Sequence, residues 1–212
     1  MKFLWILLLA SGLYAGEFEQ AVIDYRQGNF IKALDTFYVL AKEGDPKAQF
    51  NVALIYAYGK GVKQDAYQAM VWYKKAADQD NTAAQYNLAK LISQRPDSND
   101  PRAIARVKYW YKKAADGGQK EAMNDLAMLY LKGEGGKRDI HKAFTLFKKA
   151  ALLGDAAAQI NVALMYAWEK EIPNDKINAY KNLKAALKQG KTEASPYLEK
   201  LCKESSWACE ND

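Results

Sequence analysis

Four copies of one nine-residue pattern limit this chain to a narrow set of folds. The run Ala48-Gln49-Phe50-Asn51-Val52-Ala53-Leu54-Ile55-Tyr56 returns from Ala84, from Ala122 and from Ala158, at intervals of 36, 38 and 36 residues. A second pattern follows each copy. Trp72-Tyr73-Lys74-Lys75-Ala76-Ala77 matches Trp110-Tyr111-Lys112-Lys113-Ala114-Ala115, with Phe147 to Ala151 and Leu183 to Ala186 as looser versions. A period this long is too great for a heptad and fits a pair of helices. Units of that size bury their apolar faces only by stacking on their neighbours.

Both patterns have helical spacing. Ala48, Val52, Ile55 and Tyr56 fall at i, i+4, i+7 and i+8, and Ala69, Trp72, Tyr73 and Ala76 at i, i+3, i+4 and i+7. Each reads as one apolar stripe. Alanines on the stripe let helix axes approach, and the aromatics fill the remaining space as core residues. Gly59-Lys60-Gly61 and Gly133-Glu134-Gly135 read as helix stops, with Asp65 and Asp139 as N-caps of the next helix. Residues 95–101 replace this loop in the second unit and end in Asp100-Pro101, a cap followed by a proline suited to the first helical position. Gly44, Gly117, Gly154 and Gly190 mark the turns between units. Scarce β-branched runs and abundant alanine favour helix throughout.

The N-terminus is a separate object. Lys2 precedes an uncharged, largely apolar stretch from Phe3 to Leu13, and Ala15-Gly16 then leads to Glu17. This pattern predicts a signal peptide over residues 1–15, cleaved after Ala15, and hence a periplasmic or secreted protein. The alternative is an uncleaved apolar helix. The stretch falls short of the roughly 20 apolar residues of a membrane span, so no stable span is expected after cleavage. Loss of Lys2 lowers the formal net charge from +6 to +5. The lysines are scattered along helices as a solvated face, and nucleic acid is not an expected partner. The two cysteines, Cys202 and Cys209, read as a disulfide in an exported chain and as free thiols in a reducing compartment. Closing so short a loop is worth roughly 2–3 kcal/mol in the chain-entropy model.

The units resemble Sel-one-like repeats (SLR), the longer relatives of tetratricopeptide repeats. The resemblance rests on the Ala-Gln-x-Asn start, Tyr56, the Gly59-x-Gly61-Val62-x-x-Asp65 loop and Trp72-Tyr73-x-Lys75-Ala76-Ala77, and it covers residues 48–194. The second unit lacks the glycine loop, and the fourth has Glu169 to Pro173 in its place. Residues 16–47, with Tyr25, Gly28, Phe30, Ala33, Phe37 and Ala41, are similar to one tetratricopeptide unit. The resemblance implies an all-α, right-handed α/α superhelix of antiparallel helix pairs. Residues 195–212 are expected to form a capping helix and a disulfide-bonded tail. It also implies a non-catalytic scaffold or adaptor that binds a protein or peptide on a concave face lined by the first helix of each pair.

That face holds Asn51, Asn87, Asp125 and Asn161 in one register, beside Phe50, Tyr86, Asn124 and Ile160. Repeated amides of this kind can bond the backbone of an extended peptide. Equally, each can brace its own helix, recurring because the unit recurs. Catalytic material is sparse. The single histidine, His141, has no nucleophile motif around it and makes no metal set of the usual kind, and no cofactor is expected. Some exported relatives of this repeat type are assigned penicillin binding or weak β-lactam hydrolysis. That is the alternative function, although no nucleophile transfers to this sequence residue by residue.

Overall fold

The computed structural model describes residues 16–95 and 97–210, so the signal peptide expected over residues 1–15 lies outside the described residues. Every regular element among the described residues is helical. Two compact units meet in sequence at Arg95 and Pro96. The first holds α1 (16–26), α2 (Phe30–Lys42), α3 (Pro46–Tyr58), α4 (Ala66–Ala77) and α5 (Thr82–Ser93). The second holds α6 (Pro101–Asp116), α7 (Lys120–Lys132), α8 (Ile140–Leu152), α9 (Ala156–Trp168), α10 (Lys176–Lys188) and α11 (Ser195–Glu204). Within each unit, successive helices pack on one another in a repeat stack.

Local chemistry sets the boundaries. Asp45 begins α3 by accepting from the backbone N–H groups of Lys47 and Ala48 at 2.7 and 2.8 Å. Asp65, Asp100, Asp139, Asp155 and Asp175 cap α4, α6, α8, α9 and α10 in the same way. Each satisfies N–H groups that the first helical turn leaves without partners. Gly59 and Gly133 end α3 and α7 in the left-handed conformation, at φ +63° and +75°.

The second glycine of each loop has a different task. A Cβ on Gly61 would lie 2.8 Å from Cβ of Phe30, and one on Gly135 would lie 2.9 Å from Cγ2 of Ile104. Each loop therefore runs against the second helix of the preceding pair, closer than any side chain permits.

The first helices bury more than the single stripe expected from their sequence. Ala48, Val52 and Ile55 of α3 are fully buried, and so is Ala53, with Gln49 only 5% exposed. The reason is position: α3 packs on both α2 and α4, so it needs two buried faces. The aromatics of the second helices are core residues. Tyr73, Trp72, Trp110, Tyr111 and Phe147 are all buried. Tyr38 meets Trp72 edge-on at 5.5 Å between ring centroids, and Phe144 meets Tyr166 at 5.1 Å.

At the C-terminal end, α11 places the buried Leu201 in a cluster with Ala163, Ala179, Leu183 and Ala186. The Trp168 indole N–H donates to Glu204 at 2.9 Å, which ties α9 to α11. Cys202 and Cys209 are disulfide-bonded, with their Cα atoms 5.8 Å apart.

Candidate functional site

The expected binding residues lie where the repeat register puts them, on α3, α5, α7 and α9, and all six are half-buried. In the first unit, Asn51 donates one amide N–H to the carbonyl of Lys47 and Asn87 donates one to that of Ala83, each at 2.8 Å. Both bonds run one turn back along their own helix, so part of each amide braces the helix that carries it. A second N–H and the amide oxygen remain on each side chain. Phe50 packs on Tyr73 at 5.8 Å, and Tyr86 lies on α5 next in sequence to Asn87.

In the second unit the register behaves differently. Asn161 of α9 donates to Oδ1 of Asn124 on α7 at 2.9 Å, and Asn124 donates to Oδ1 of Asp125 at 3.2 Å. Asn161, Asn124 and Asp125 are thus brought together as one polar chain across two first helices. The sequence placed Asn124 only beside the register. The structure makes it the bridge.

The buried glutamines have a structural role that hydropathy does not reveal. Gln49 donates to the carbonyl of Ala41 at 3.1 Å, and Gln85 donates to that of Ala77 at the same distance. Each bond joins a first helix to the end of the preceding second helix. Gln79 in turn donates to Oε1 of Gln49 at 2.8 Å, and Gln189 donates to Oε1 of Gln159 at 2.9 Å. The residue at the place of Gln79 in the second repeat is Gly117, which has no side-chain donor, and Oε1 of Gln85 is buried with no partner among the described residues. Gln49→Leu is therefore expected to cost about 1–2 kcal/mol of unfolding free energy, because it strands a formed pair. Gln85→Leu is expected to be close to neutral, because it also removes an orphaned acceptor. Urea titration of both variants checks the difference, and equal losses would contradict it.

A third recurring bond closes the loop within the first, third and fourth repeats. Gln64, Arg138 and Asn174 donate to the carbonyls of Ala57, Leu131 and Ala167, at 2.8, 3.1 and 3.1 Å. The cap N–H groups of Asp65, Asp139 and Asp175 donate to the carbonyls of Tyr56, Tyr130 and Tyr166. The fourth repeat makes both bonds although Glu169 to Pro173 replaces its glycine loop.

Burial pushes the ionisation of the Tyr73 phenol far up, so this group stays neutral across the physiological range. His141 is exposed on α8. Among the described residues no group of three or more His, Cys, Asp or Glu is placed to hold a metal ion. No helix among them is long and apolar enough to cross a membrane.

A Sel1 repeat model matches residues 46–81, 82–119, 120–155 and 156–191. Chitin synthase regulatory factor 3 of Schizosaccharomyces pombe is 31% identical over 71% of this chain and 17% of its own length. The crystal structure of a Sel1 repeat protein from Oxalobacter formigenes superposes with a TM-score of 0.70 at 33% identity, covering 80% of this chain and 49% of that one. The immunity protein PA5088 of Pseudomonas aeruginosa shares the fold, with a TM-score of 0.55 at 24% identity over 82% of this chain and 67% of its own. This chain thus spans a small part of the yeast relative and about half of the Oxalobacter protein.

Proposed function

The chain belongs to the Sel1 repeat family, whose members are generally protein-interaction scaffolds, and on that premise we propose that it binds a protein or peptide through the exposed side of its first helices. The observation that carries this reading is the bonding of Asn51 and Asn87. Each amide is fixed by one bond to its own helix, so its remaining N–H and oxygen are held in the same orientation on successive first helices. Such fixed, partly unused amides suit the backbone of an extended chain, which offers donors and acceptors in alternation. Phe50 and Tyr86, adjacent to them in sequence, supply apolar contact area. In the second unit the linked group Asn161, Asn124 and Asp125 takes this place, and its carboxylate favours a basic or N–H-rich element of the ligand.

The working compartment in this reading is the cell envelope or the secreted space. It is supported by the apolar N-terminal sequence and by a disulfide of the kind that persists in oxidising surroundings. The test is capture of partners from an envelope extract by the purified chain, compared with the triple variant Asn51→Ala, Asn87→Ala, Asn161→Ala. Identified partners are expected to drop by at least about tenfold in the variant, the loss of roughly 1.4 kcal/mol of binding free energy. Far-UV circular dichroism should not change, because alanine is a good helix former at all three positions. Undiminished capture of the same proteins would overturn the assignment of this face.

A further inference from the structure

Within the second unit, α6, α7 and α8 line an open, cleft-like cavity of about 340 Å³ over Tyr130. Its apolar wall is Leu126, Leu146 and the Tyr130 ring, and its rim carries Lys112, His141 and Lys142. Lys108 stands over the same ring, with Nζ 4.3 Å from the centroid, and Lys142 lies 5.5 Å from it. Two of the three ammonium groups have a carboxylate. Lys112 pairs with Asp116 at 2.7 Å and Lys142 with Asp139 at 3.0 Å. These pairs raise the ionisation of both lysines, and the backbone N–H of Lys142, followed by its side chain, lowers that of Asp139. Lys108 is half-buried and has no carboxylate partner among the described residues. Its contacts are the ring and the carbonyl of Gly135 at 3.4 Å.

The repeat register shows that a lysine here is a departure. Two residues before the Trp110 position, the second helices α2, α4 and α8 carry Leu34, Met70 and Phe144, and Phe144 packs edge-on against Tyr166, the counterpart of Tyr130. An apolar residue thus covers the tyrosine in the next repeat, and a cation covers it here. The Lys108 side chain runs alongside the glycine loop, its Nζ 3.7 Å from the place of a Cβ on Gly136 and its Cδ 3.9 Å from that of one on Gly135, ordinary contact distances. A half-buried ammonium without a counter-ion, beside a cavity with an apolar wall, is complementary to a carboxylate next to an apolar group.

We propose that this cavity takes an acidic peptide segment, with an Asp or Glu carboxylate against Lys108 and a neighbouring large apolar side chain on Leu126 and Leu146. The proposal rests on the protein-binding reading and adds a second, charge-selective subsite to it. The test is panning of the full chain against a library of random heptapeptides. Wild type is expected to enrich sequences that pair Asp or Glu with Leu, Ile, Phe or Met. Lys108→Leu, which restores the apolar residue of the register, is expected to lower retention of those peptides about tenfold, while Lys108→Arg retains them. Thermal melting of the variants reports that the fold is kept. Enrichment without acidic bias, or equal retention by Lys108→Leu, overturns the subsite and leaves the protein-binding reading in place. Retention of no peptide at all overturns both.

Discussion

Replacing Gly61 by alanine is expected to destabilise the first unit by about 2–4 kcal/mol, far more than a methyl group costs on most surfaces. Two penalties add. The residue sits at φ +72°, where a Cβ crowds its own backbone at a cost of about 1–2 kcal/mol. The new Cβ would also lie 2.8 Å from Cβ of Phe30, an atom fixed to the α2 backbone that cannot rotate away. Gly154→Ala is the control, at φ +77° with nothing within 4 Å of the added atom. It should show the first penalty alone, about 1–2 kcal/mol. Urea unfolding of the two variants separates backbone strain from the collision. Equal losses would mean that the loop is free to move off α2.

Phe147→Ala is expected to cost about 3–5 kcal/mol. Phe147 is fully buried at the register position that Tyr73 and Tyr111 hold in the earlier repeats. Ala143 and Ala150, on the same side of α8, and Ala158 of the next helix are small and fully buried. None of these can extend into the vacated volume. Phe147→Leu, which keeps most of that volume, should cost less than about 1.5 kcal/mol. Thermal melting distinguishes these outcomes, and a small effect for Phe147→Ala would show that α8 collapses onto its neighbours.

The helix pairs were legible because their signals are local and repeat. A capping Asp needs only the next three residues to act, so Asp65, Asp100 and Asp139 could be read without knowing the fold. Packed aromatics such as Trp72 and Tyr111 announced themselves by spacing. Contacts between repeats were not legible in the same way. Gly59 and Gly61 look alike in sequence, but one ends a helix and the other admits a neighbouring helix. The burial of Gln49 and Gln85 contradicts their polarity and follows from carbonyl groups eight residues earlier in the chain, which hydropathy does not weigh. The loop-closing bond was hidden because Gln64, Arg138 and Asn174 share a donor and no identity. The register of Asn51, Asn87, Asp125 and Asn161 was visible, but which atoms were already in use was not. Lys108 stood out only after Tyr130 and Phe144 had been placed.

The buried glutamine of the other repeats has a consequence where it is missing. Its counterpart at the joint between α6 and α7 is Met123, and the carbonyl of Ala115 there accepts from the backbone N–H of Gly118 at 3.0 Å. A hydrogen bond to a glutamine has a direction and breaks when two helices slip, whereas a thioether follows a slip by changing rotamer. The joints at Gln49 and Gln85 are therefore brittle, holding their alignment until they fail. The joint at Met123 is compliant, because it holds no such bond to break.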